Sequence, residues 1–123
     1  MTEADRAMMV VYSRVLGPDG VRAYARMLAE YRRTPVAFEF EALPADADEP
    51  TRADLTERIL PHVAELYRAY PEAFLAPLDA PGGIDHVDDT IHLAVSDVYN
   101  AAQVDVLGRI KRRFGRYVAS TEP

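Results

Sequence analysis

From residue 91 to residue 110 the apolar side chains Ile91, Val95, Val98, Ala102, Val106 and Ile110 return every three or four positions. That spacing gathers them on one face of an α-helix and is incompatible with the two-residue period of a strand. It predicts one long helix over about 86–114. Three further segments repeat the pattern. Residues 3–16 carry Met8, Val11 and Val15 beside Met9, Tyr12 and Leu16; residues 20–33 carry Val21, Tyr24, Leu28 and Tyr31. Residues 52–69 carry Leu55, Ile59, Val63 and Leu66, with Tyr70 just beyond, and Thr51 and Asp54 stand at capping-box positions ahead of that stripe. Pro61 interrupts it and predicts a kink or an early end, because proline removes one helical hydrogen bond.

Breaks rich in proline and glycine separate these segments: GPDG at 17–20, LPADADEP at 43–50 and APLDAPGG at 76–83. Residues 34–43 admit two readings. Val36, Phe38 and Phe40 alternate as on a strand, whereas Thr34 and Pro35 suit the N-cap and first position of a short helix. The expected fold is therefore all-α: one domain over residues 1–123, resembling a four-helix bundle, with a short irregular or strand-like segment between its second and third helices.

Composition narrows the chemistry. The 123 residues are long enough for one core, 49% are hydrophobic and 28% charged, and there is no cysteine to supply a disulfide, a thiolate or a sulfur ligand. The net charge of −6 disfavours non-specific binding to nucleic acid or anionic membrane. An acidic start, MTEADR, and the absence of a long apolar run predict a cytoplasmic chain with no membrane partner.

DHVDDTIH at 85–92 concentrates carboxylates and imidazoles. One reading is structural: Asp85 as N-cap, with Asp88 and Asp89 in the first turn, where the helix dipole favours negative charge. The chemical reading pairs Asp89 with His92 and, on the preceding helix, His62 with Glu65, giving four nitrogen and oxygen ligands for zinc and a hydrolytic water. The order His62-x-x-Glu65 is the reverse of what a di-iron bundle uses. No nucleophile motif accompanies these residues, so no catalytic residue is assigned and no cofactor is expected unless zinc binds.

RIKRRFGRY at 109–117 brings Arg109, Lys111, Arg112, Arg113 and Arg116 together, more cations than a helix C-terminus needs. An acidic counterpart spans Glu39 to Asp54, so the two patches can pair within a subunit or between subunits. Tyrosines on the apolar faces, Tyr24 and Tyr31 among them, suit a partner surface. The leading expectation is a non-enzymatic interaction or regulatory protein, homodimeric, acting by protein–protein contact through these residues. A zinc-binding bundle is the alternative, and nucleic-acid contact through the basic segment the third.

Overall fold

Prolines mark where several of the helices begin. The computed structural model describes residues 2–30 and 34–121, with side chains described throughout except at 78–79 and 117–121. Its elements are α1 (Glu3–Val15), α2 (Pro18–Glu30), α3 (Pro35–Glu41), α4 (Glu49–Ala69), α5 (Pro71–Leu75), a 3₁₀ turn (Ala76–Asp79), α6 (Ile84–Val98) and α7 (Ala101–Thr121). Pro18, Pro35 and Pro71 are the first residues of their helices, and Pro50 is the second of α4. An N–H in the first turn has no intrahelical acceptor, so its loss costs nothing, and proline's fixed φ already suits a helix. Among the described residues there is no strand, and the fold is all-α. None of their helices is long and apolar enough to cross a membrane.

The same proline rule accounts for two corrections. GPDG is not a turn between helices, because Pro18, Asp19 and Gly20 form the first turn of α2. Nor is Thr51 an N-cap: α4 starts earlier, and the Asp48 carboxylate accepts from the Thr51 N–H at 2.9 Å. Pro61 neither breaks nor ends α4, which runs through it to Ala69. Residues 35–41 are helical, with the Thr34 hydroxyl accepting from the Ala37 N–H at 3.3 Å. Helical spacing puts Val36 and Phe40 on one face, towards the core, and leaves Phe38 exposed.

The predicted helix over 86–114 is two helices. Asn100 and Gln103 break it with a reciprocal cap: the Asn100 N–H donates to Gln103 Oε1 at 3.0 Å, and the Gln103 N–H to Asn100 Oδ1 at 2.9 Å. The apolar stripe keeps its phase across the break, which hides the break from periodicity. Asp85 is also displaced from its expected place. The residue before α6 is Gly83, at φ +85°, and it has no side-chain cap; Asp85 lies inside the first turn. Its charge still faces the positive end of the dipole.

The described chain gathers into two compact units interleaved in sequence, one drawn from residues 1–32 and 67–99 and the other from 33–66 and 100–123. In the first unit α1 packs on α6 and α2, and α2 on α5 and the 3₁₀ turn. Its core holds Val15, Leu16, Ala80 and Val87, with Tyr12, Val21, Ala76 and Ile91 against them. Gly20 lets α2 approach the 3₁₀ turn closely, since a Cβ there would meet Ala76 Cβ at 2.9 Å. In the second unit Val36, Leu43, Leu55, Ala102, Val106 and Ile110 form the core where α3, α4 and α7 meet. Full burial of a side chain such as Leu55 or Val106 contributes about 1.5–3 kcal/mol.

Candidate binding cleft

Within the second unit, α4 and α7 are joined by pairs of opposite charge. The Arg109 guanidinium donates to both carboxylate oxygens of Glu49, at 2.8 and 2.5 Å, and its Nε to Asp105 at 3.0 Å. Arg113 grips Glu57 in the same two-pronged way, one of its contacts being 3.3 Å long. Arg52 reaches Asp105 at 3.3 Å and donates to the carbonyls of Ala47 and Ala45, which fastens the loop ahead of α4. Arg58 joins Glu39 of α3 at 2.5 Å to Asp54 at 2.9 Å. These guanidinium hydrogen bonds hold the Glu39, Glu49, Glu57 and Asp105 carboxyls below their ordinary range. Acidic and basic segments far apart in sequence thus meet inside one unit.

Beside these pairs lies a cleft of about 240 Å³ lined by Ala53, Thr56 and Glu57 of α4 and by Arg109, Arg112, Arg113 and Arg116 of α7. At 100° per residue, Arg109, Arg112, Arg113 and Arg116 fall on neighbouring positions of one helix face. Two of the four already hold carboxylates. Arg112 and Arg116 are exposed and have no carboxylate partner among the described residues. The Arg112 side chain lies over Gly108, within 3.5 Å of where a Cβ would stand. Thr56 is buried and its hydroxyl donates to the Arg52 carbonyl at 2.8 Å, so it closes the floor without offering a free donor.

The sequence placed Arg109, Lys111, Arg112, Arg113 and Arg116 on a contact surface; four of these five line the cleft, and Lys111 is exposed without lining it. The sequence did not indicate that Ala53, Thr56 and Glu57 would form the opposite wall. Spacing gave no signal for it, since Arg109 and Arg113 are four residues apart whereas the glutamates they hold, Glu49 and Glu57, are eight apart. Tyr24 is partly buried. Its ring lies 4.2 Å from that of Tyr12 in the first unit, and burial raises the pKa of both hydroxyls. Tyr31 lies outside the described residues.

The four residues considered as zinc ligands are divided between the units. His62 and Glu65 belong to the second, with His62 partly buried and Glu65 exposed; Asp89 and His92, both exposed, belong to the first. Among the described residues no three histidine, aspartate or glutamate side chains are grouped so as to hold a metal ion. His86 has a packing role, its ring covering Gly82, where a Cβ would come within 2.6 Å of Cδ2.

What fold and cleft define is a class: a small all-helical protein with an arginine-lined surface cleft. No family model, curated protein or solved structure matches the chain.

Proposed function

We propose that this chain is an interaction protein, working by contact rather than catalysis, which binds an acidic segment of a partner protein through Arg112 and Arg116. The observation that carries this reading is the unequal use of the four cleft arginines. Arg109 and Arg113 are neutralised by Glu49, Asp105 and Glu57, whereas Arg112 and Arg116 keep their charge for an incoming carboxylate. The internal pairs fix Arg109 and Arg113 on the cleft wall, so the side-chain order left to impose on binding is that of Arg112 and Arg116. A nucleic acid fits less well, because the net charge of −6 repels a long polyanion beyond the cleft.

The test is fluorescence anisotropy of labelled hexaglutamate at low ionic strength, with a random single-stranded oligonucleotide as rival. Binding of the peptide, weakened tenfold or more by R112E/R116E and unchanged by R68E on the first unit, supports the reading. No binding, or tighter binding of the oligonucleotide, overturns it.

Self-association is a second reading, favoured by Leu93 and Val10 of the first unit, which are 67% and 53% exposed. Light scattering should then show a dimer that Leu93→Glu converts to monomer; a monomer at every concentration removes this reading.

A further inference from the structure

The arginine cleft continues past Glu57. A second groove, of about 330 Å³, shares Glu57 and Arg113 with it and is otherwise lined by Leu60, Pro61, Ala64 and Phe114. The two cavities differ in character: four arginines line the first, whereas beside the shared Glu57 and Arg113 the second is lined by the apolar Leu60, Pro61, Ala64 and Phe114. On α4 they occupy successive turns of one face, Ala53, Thr56 and Glu57 followed by Leu60, Pro61 and Ala64. At 1.5 Å rise per residue the centres of these two groups of α4 residues are about 9.5 Å apart. An extended peptide covers that distance in about two to three residues.

Pro61 adds a polar feature at the junction. Lacking an N–H, it leaves the Glu57 carbonyl without its helical donor, and both residues line the groove. A carbonyl left without its helical donor can accept from a ligand N–H. An alkyl carboxylate fills both cavities but brings no such donor, and a polyphosphate leaves the apolar half empty. A peptide supplies carboxylates, a backbone N–H and an apolar side chain together. The arginines say what covers the hydrocarbon: a segment whose charge complements theirs.

We propose that the α4–α7 seam is a two-part peptide site, taking an acidic pair in the arginine cleft and, two to three residues away, a Leu, Ile or Phe side chain in the Leu60–Phe114 groove. This rests on the acidic-partner reading above and deepens it by specifying the recognised pattern.

The experiment is selection of a phage-displayed random heptapeptide library on three proteins: the native chain, A64E and R112E/R116E, each checked for native helix content by circular dichroism. On the native chain the enriched sequences should combine two acidic residues with one large apolar residue at that spacing. A64E should keep the acidic preference and lose the apolar one, and R112E/R116E should lose both. Acidic enrichment without an apolar position overturns the two-part site and leaves the acidic-partner reading standing. No acidic enrichment overturns both. Dodecanoate that displaces nothing from the native chain fits a peptide site; dodecanoate binding in the absence of any peptide consensus assigns the seam to a small amphiphile instead.

Discussion

Gln103 Nε2 lies 3.0 Å from the carbonyl of Phe40 and 3.3 Å from that of Glu41, while its backbone and side chain trade hydrogen bonds with Asn100. Asn100 Nδ2 in turn donates to the Leu43 carbonyl at 2.8 Å. One polar pair therefore starts α7 and ties it to the end of α3 and the residues just beyond, where the Phe40 carbonyl also accepts from the Leu43 N–H at 3.2 Å. Gln103 is only 8% exposed, so water cannot replace it.

Replacing Gln103 with methionine should accordingly cost more than a surface cap. The capping bond is worth about 1 kcal/mol, and the two hydrogen bonds from Nε2 to the Phe40 and Glu41 carbonyls add about 0.5–1.5 kcal/mol each. The expected outcome is a drop of about 2–4 kcal/mol in urea unfolding. Asn100→Ala should give a comparable loss, and the double variant less than the sum, because the two side chains share partners. Additive losses would show that they act independently.

The ion pairs of the second unit predict an acid-side loss of stability. Guanidinium hydrogen bonds depress the carboxyls of Glu39, Glu49 and Glu57 below their ordinary 4.5, and that of Asp105 below 3.8. A depressed folded pKa means that the unfolded chain takes up protons first, so stability is present above about pH 4.5 and is lost as pH falls through the lowered values. The three glutamates are exposed enough for salt to screen them. The urea midpoint should fall below pH 4.5, and less steeply in high salt. Substituting Gln for Glu49 and Glu57 should flatten the profile. An unchanged profile would mean that these pairs contribute no net stability.

Glycine substitutions separate packing from propensity. Gly115 lies in α7 with open space around its Cα, so Gly115→Ala should stabilise by about 0.5–1 kcal/mol. Gly20 is helical as well, but a methyl there meets Ala76 Cβ at 2.9 Å, and neither carbon sits at the end of a flexible chain. Gly20→Ala should destabilise despite its better helix propensity, because α2 must move from the 3₁₀ turn. Thermal unfolding of the two variants side by side checks the opposite signs.

How much of this was legible in the sequence depends on how local each determinant is. The all-α class followed from the spacing of apolar residues, and the helical option for Thr34–Pro35 from cap chemistry within four positions. The split of the last predicted helix was also written locally, as Asn100-x-x-Gln103, but the stripe from Val98 to Ala102 kept its spacing and masked it. Asp85 failed as an N-cap because Gly83, free to adopt φ +85°, turns the chain two residues earlier. The cleft was half legible. Its cations stood in one run, whereas Glu57 and Thr56, more than fifty residues away on α4, join them only through the packing of the second unit. Periodicity carries no information about which helix faces which.

The tyrosine pair of the first unit makes a test on the alkaline side. Tyr12 and Tyr24 sit with ring centres 4.2 Å apart, and both titrate above the ordinary 10.0, chiefly because burial disfavours the phenolate. Nearby carboxylates, Asp88 for Tyr12 and Asp5 for Tyr24, push the same way. A raised folded pKa reverses the carboxylate case: above pH 10 the unfolded chain releases the proton that the folded chain retains, so stability is full below 10 and falls as pH rises beyond it. Absorbance at the phenolate band should therefore show a late group of tyrosines ionising only with a cooperative loss of helical signal. Tyr12→Phe removes one of the two phenols and the hydroxyl contact with Tyr24, and should shrink that late step. A single smooth titration near 10, complete before any loss of helix, would place both hydroxyls in water and contradict the buried pair.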